Sequence, residues 1–233
     1  MEAEPSTSVD FKWPDIEKPV KKEKVKVPSI PDDYIWARGR EDKAMPDGVG
    51  VDEVIDPPAG YYKLNLCAGS QQIPGHKNMN PVAGPGTDYI HPIEKYPWPF
   101  DSGSVVAINI GAYICQLIDL DDFMQECWRV LVNTGSLHVV APYYTSMDYF
   151  RNTRNIMPIT DDTFGFYCAR WLKANKIEKK LTCDFEPSKR LFYYTDDWEL
   201  KGDHAREWAR KHCWNAVMSM EIDLKAVKPM RNL

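Results

Sequence analysis

The sequence predicts an α/β protein built on a doubly wound, mostly parallel sheet with helices on both faces. Three observations predict it. Tyr61-Tyr-Lys-Leu-Asn-Leu-Cys-Ala-Gly-Ser70 reads as a short apolar strand over 62–67 that runs into a glycine-centred turn, with Pro74-Gly75 close behind. Val105-Val-Ala-Ile-Asn-Ile110 is a run rich in β-branched residues that fits a central strand covered on both sides. Strand, helix and strand then follow one another between 105 and 142, the spacing of a right-handed βαβ crossover. Open α/β sheets bind ligands at the carboxyl ends of their strands, where a glycine turn lets the ligand approach the backbone.

Composition narrows the class. The chain has 233 residues, 43% of them hydrophobic, with eight Trp, twelve Tyr and eight Phe, enough for one sizeable core. A net charge of −5 supplies no broad basic field, so nucleic-acid binding is not indicated. No apolar run approaches the roughly 20 residues that cross a bilayer, and Met1-Glu-Ala-Glu-Pro lacks the basic start and apolar segment of a secretory signal. The cysteines at 67, 115, 127, 168, 183 and 213 form no Cys-x-x-Cys pair, which fits reduced thiols and a cytoplasmic location.

Residues 1–45 read as an extended arm. Pro, Ser and charge dominate its first part, Lys18, Lys21, Lys22, Lys24 and Lys26 cluster there, and Phe11, Trp13, Tyr34 and Trp36 are aromatic anchors. Such an arm suits a protein partner or a second copy of the chain. Residues 31–59 form an extended lead-in, and 46–233 the α/β domain proper. After the first strand only a short helix, or none, fits before His76-Lys-Asn-Met-Asn80. Thr87–Ile90 is a brief extended piece, and Tyr96–Ser104 a proline-locked loop. A helix over 121–131 starts among Asp119, Asp121 and Asp122, where the helix dipole favours acids, and Asn133-Thr-Gly135 stops it. A strand over 136–142, a polar loop over 143–160, a helix over 163–173, a long helix over 205–220 and a strand over 222–227 complete the reading.

The ordered set Asn65-Leu-Cys-Ala-Gly69, Pro74-Gly-His-Lys-Asn-Met-Asn80, Pro97-Trp-Pro-Phe-Asp-Ser-Gly-Ser104, Gln125-Glu-Cys-Trp-Arg-Val-Leu131 and Leu137-His-Val-Val-Ala-Pro142 resembles the class I S-adenosylmethionine-dependent methyltransferases of the compact type 11 kind. The resemblance covers about residues 60–229 and implies a Rossmann-like fold with S-adenosylmethionine as cofactor. It places the cofactor at Cys67, Ala68, Gly69 and Asn80, with Pro99, Phe100, Asn109, Ile110 and Gly111 flanking its adenine and methyl ends.

The departures fall at that edge. The family's strand ends Leu-Gly-Cys-Gly, whereas here Cys67-Ala68-Gly69 keeps a single glycine, and the methyl of Ala68 crowds the backbone. Asn80 stands where the family has the aspartate that accepts from both ribose hydroxyls, and an amide lacks that charge. Cys115-Gln116 replaces Glu-His, and Arg151-Asn-Thr-Arg154 replaces Asp-Pro-Thr-His. Tyr143, Tyr144, Arg151 and Arg154 are the candidate acceptor-binding residues, the arginines suited to an anionic acceptor. No histidine pair, hydrolase triad or spaced metal-ligand set is present. Two function classes lead: a methyltransferase of unknown acceptor, and a non-catalytic methyltransferase-like subunit that binds a partner. A binder of another small ligand in the same cleft is a third.

Overall fold

The computed structural model describes residues 61–67, 69 and 72–232. The arm at 1–45, the whole lead-in over 31–59 and Ala68 therefore lie outside the described residues. Seven strands form one sheet: β1 (Tyr62–Leu66), β2 (Lys77–Asn80), β3 (Tyr89–Ile90), β4 (Val105–Ile110), β5 (Leu131–Pro142), β6 (Phe185–Tyr194) and β7 (Val217–Ala226). Their order is β3-β2-β1-β4-β5-β7-β6. All neighbours on the β3 side of β5 are parallel, and β7 alone runs against the rest. The helices are α1 (Leu120–Val130), α2 (Met147–Arg151), α3 (Ala169–Asn175), α4 (Asp196–Glu199) and α5 (Asp203–His212).

Strand alternation sorts the side chains into two unlike faces. On one face Leu64, Ile108, Leu137 and Leu224 stand in register across four strands, and Met79, Leu66, Ile110, Val139 and Ile222 form the next row. All are buried, and Phe123, Met124, Cys127 and Val130 of α1 join the same cluster with Phe164 and Tyr167. Helix α1 forms there because its apolar spacing matches the helical period and Asp119 caps it, accepting from the Asp122 N–H at 3.0 Å.

The opposite face carries a polar row one residue out of step. Asn78, Asn65, Asn109, His138, Asp223 and Lys189 are paired neighbour to neighbour across six strands. Asn65 donates to Asn78 Oδ1 at 2.8 Å, and His138 Nδ1 meets Asp223 Oδ1 at 2.6 Å. Burial on this face fades from β2, where Asn78 is buried, to β6, where Lys189 is exposed. Strand β4 is thus not doubly covered as its sequence suggests: Val105, Ile108 and Ile110 are buried, while Val106, Ala107 and Asn109 are half-buried.

Several elements differ from expectation. No helix separates β1 from β2 among the described residues, in line with the short interval. Asn133-Thr-Gly135 is not a stop before the strand but an irregularity inside β5, where Thr134 has a φ of 65° and the pairing with β4 shifts. The helix expected over 163–173 is a 3₁₀ turn at Thr163–Tyr167 followed by α3. The loop over 143–160 contains α2. The helix expected over 205–220 ends at His212, and Met220 belongs to β7. Strand β6 has no counterpart in the sequence reading. Its exposed Ser188, Lys189 and Arg190 and its Pro187 suit an edge strand and hide its strand character.

Candidate functional site

Chain connections run outward in opposite directions from β1 and β4, so the switch point of the sheet lies between their carboxyl ends. There β1 hands over to Cys67, whose φ is +50°, and Gly69, whose φ is +57°. The left-handed conformation explains the glycine at 69. Across the switch point β4 ends in Ile110, buried in the core, and Gly111, exposed with an extended backbone. At both Gly69 and Gly111 no atom lies within 4 Å of the place a β-carbon would take. The backbone here is open. Asn109 is set back on the polar face, between Asn65 and His138.

Burial, and then the charge of Glu94, push the Cys67 thiol up to about 12, so it is neutral at physiological pH and no nucleophile. Tyr113, in the 3₁₀ turn that follows Gly111, is pushed up by burial and then by Cys67 and Glu94, with Arg154 acting the other way. Cys67, Glu94, Tyr113 and Arg154 therefore share one electrostatic neighbourhood at the carboxyl edge. Sequence reasoning missed Glu94 and Tyr113, because neither sits in a recognisable motif.

Asn80 ends β2 on the same edge. Its amide nitrogen donates to Thr87 Oγ1 at 2.9 Å, while its buried Oδ1 has no hydrogen-bond partner. Thr87 also lines a cavity of about 370 Å³ whose other walls include Pro74, Gly75, His76, Asn78 and Asp88. The Pro74-Gly75 turn thus helps to form a hollow beside β2.

Pro99 and Phe100 lie in the loop between β3 and β4. Phe100 packs against Tyr62, at the start of β1, and Tyr89 of β3, which is level with Met79 and Leu66, with ring centroids 5.8 and 4.9 Å away. Phe100 is buried there as a core plug and Pro99 is exposed.

On the β5 side, Tyr143 is buried and its hydroxyl donates to Asp161 Oδ1 at 2.8 Å. Arg210 of α5 pairs with the other oxygen of Asp161 and lies over the Phe192 ring, 4.6 Å from its centroid. Tyr144 is half-buried with its ring centroid 4.8 Å from that of Tyr143. Arg151 faces solvent and pairs with Asp148 at 3.0 Å. Arg154 is exposed at the turn after α2. Two backbone bonds, from Ile156 and Met157 to the Cys115 carbonyl, hold that turn against the Tyr113 segment. Asp161, Phe192 and Arg210 lie far apart in sequence, and no local signal marks them as partners.

The sheet order, with one reversed strand beside the last, settles the architecture. The fold is Rossmann-like, a mostly parallel sheet with helices. No family model matches the sequence, and no curated protein matches it. Solved structures do. A SAM-dependent methyltransferase from Archaeoglobus fulgidus is similar at a TM-score of 0.47 and 10% identity, over 72% of this chain and 86% of that one. The YcgJ protein of Bacillus subtilis gives 0.44 and 11%, over 73% and 94%. Geranyl diphosphate C-methyltransferase from Streptomyces coelicolor, solved with S-adenosyl-L-homocysteine, gives 0.46 and 11%, over 72% and 73%. Among the described residues no helix is long and apolar enough to cross a membrane, and no group of three or more His, Cys, Asp or Glu side chains could hold a metal ion.

Proposed function

We propose that the protein is an S-adenosylmethionine-dependent methyltransferase. The observation that carries this reading is the open backbone at the switch point, where Gly69 and Gly111 follow the paired strand ends Leu66 and Ile110 and no atom lies within 4 Å of either β-carbon position. Bound there, the cofactor supplies a methyl group already activated on a sulfonium. The chain's task is then mainly to position donor and acceptor. Gly69 and Gly111 let the cofactor's backbone-facing edge approach. The orphaned Oδ1 of Asn80 suits a ribose hydroxyl, since an unsatisfied buried carbonyl costs about 1–3 kcal/mol that such a donor would recover. Tyr144 and Arg154 flank the space on the acceptor side, and Arg154 suits an acceptor with an anionic group.

A second reading, a non-catalytic subunit that binds its partner through residues 1–45, is favoured by Asn80 itself: the position is uncharged, and its nitrogen is already tied to Thr87. Calorimetric titration with S-adenosylhomocysteine separates the two. The methyltransferase reading expects micromolar binding, worth roughly 8 kcal/mol, and loss of that binding in Gly111→Val. Gly111 is the cleaner probe because its extended backbone accepts a β-branched side chain, whereas any substitution at Gly69 is strained by its positive φ. No heat at millimolar ligand from folded protein would leave the subunit reading.

A further inference from the structure

Strands β6 and β7 are antiparallel neighbours, and such a pair needs only a tight turn. Instead the chain inserts residues 195–216, with α4 and α5, at the carboxyl edge of the sheet. The ladder closes beneath the insert, where Thr195 N–H donates to the Ala216 carbonyl at 3.0 Å. Within the sheet ladder the insert is therefore tied at this one base, and its remaining contacts are to loops and side chains.

Little holds it by burial. Of residues 196–215, Ala209 is the one fully buried side chain, and Trp198 is a half-buried anchor. Leu200 is 93% exposed, Trp208 55% and Trp214 69%. Its other contacts reach the acceptor side of the site. Arg210 pairs with Asp161 and covers Tyr143 and Phe192, while Arg206 lies 5.6 Å from the Tyr194 ring centroid. Asn215 donates its N–H to the Thr145 carbonyl at 2.9 Å and accepts from the Met147 N–H at 3.0 Å, and Trp214 stands 5.5 Å from Phe150. A segment with few buried apolar contacts and many polar ones belongs to the low-stability end of a fold, from which moving elements are drawn.

We propose that residues 195–216 form a lid over the acceptor side of the site, latched by Arg210 on Asp161 and hinged at the Thr195–Ala216 pair. Opening uncovers Tyr143, Tyr144 and Phe192, and closing shuts water from them. The lid rests on the reading of this edge as the acceptor side, but its motion does not require a cofactor.

Amide hydrogen exchange on the full chain, without ligand, tests the motion separately from the methyltransferase reading. In wild type, amides of 196–215 are expected to exchange about ten-fold or more faster than those of β5 and β7. In Arg210→Met their exchange rises by about a further ten-fold, together with that of 143–146, while β1, β4 and β5 stay unchanged. Protection of 196–215 equal to that of β7 in wild type would overturn the lid. So would an Arg210→Met variant that loosens the whole sheet alike. Should Arg210→Met fail to fold, Arg210→Lys gives the same comparison, because it keeps the charge and loses the planar contact on Phe192.

Discussion

Glu126 and Arg129, one turn apart on α1, close a two-point ion pair, with Oε1 to Nη2 at 2.7 Å and Oε2 to Nε at 2.8 Å. The pair also grips the loop before β4. Glu126 Oε1 accepts from the Trp98 N–H at 2.6 Å, and Arg129 donates to the carbonyls of Trp98 and Phe100 at 3.3 and 2.9 Å. The Pro97–Ser104 loop and the Gln125–Leu131 segment are therefore one structural unit. Their work is packing at the amino edge of the sheet.

Removing one member of this buried pair should cost more than neutralising it. Glu126 is 6% exposed, so Glu126→Ala leaves the Arg129 charge without its carboxylate and the Trp98 N–H without an acceptor, and about 3 kcal/mol is expected. Glu126→Gln keeps an acceptor for Trp98 and should cost about half that. Urea denaturation measures both. Equal losses below about 0.5 kcal/mol would show that the loop is held by its aromatic plugs alone.

Arg231 does the same for the chain's end, and here the dependence on pH has a definite sign. It meets both oxygens of the fully buried Asp184 at 2.7 Å, and the Ala169 N–H adds a bond at 3.1 Å. Burial pushes the Asp184 carboxyl up, but Arg231 and the N–H donors together hold it below the usual 3.8. The pairing thus stabilises the fold above about pH 4 and is lost as pH falls through the depressed value. In Arg231→Met burial prevails, and the unpaired carboxylate destabilises the fold at neutral pH. The loss relative to wild type should be about 3 kcal/mol at pH 7 and shrink as pH falls from the variant's raised carboxyl value, above 3.8, to the depressed wild-type value, below which Asp184 is protonated in both proteins. A loss that does not change between pH 7 and pH 3 would assign it to packing of the Arg231 stem.

What could be read in advance follows from where each signal comes from. Helix α1 and strands β1 and β4 were legible, because a capping acid and an apolar period act locally. The overrun of α5 has a local cause too: the apolar spacing continues through Ala216 and Met220, whereas the helix ends where Cys213 turns extended at φ −113° and ψ 132°, with no glycine or proline to mark the place. Strand β6 was illegible because an edge strand with Lys189 and Arg190 outward has no apolar alternation. At the site, the turn at Cys67–Gly69, Asn80 and Gly111 came from sequence order alone. The Asp161–Arg210 latch joins two segments that only the folded sheet brings together.

Asn80 offers the sharpest test of how far the cofactor edge has diverged. Asn80→Asp restores the carboxylate that the resemblance expects, and the residue is 5% exposed, so a charge there is poorly solvated. Without ligand the variant should lose about 1–3 kcal/mol, less if Thr87 turns its hydroxyl toward the new acceptor. With S-adenosylhomocysteine the balance should reverse, since two ribose hydroxyls can donate to a carboxylate. Charge-assisted hydrogen bonds are roughly twice as strong as neutral ones, which corresponds to a gain in affinity of about ten-fold. Calorimetry gives the affinity and thermal denaturation the apo stability. Weaker binding in Asn80→Asp, with the fold intact, would mean that Asn80 points its oxygen into the protein and that the ribose, if bound, is held from elsewhere.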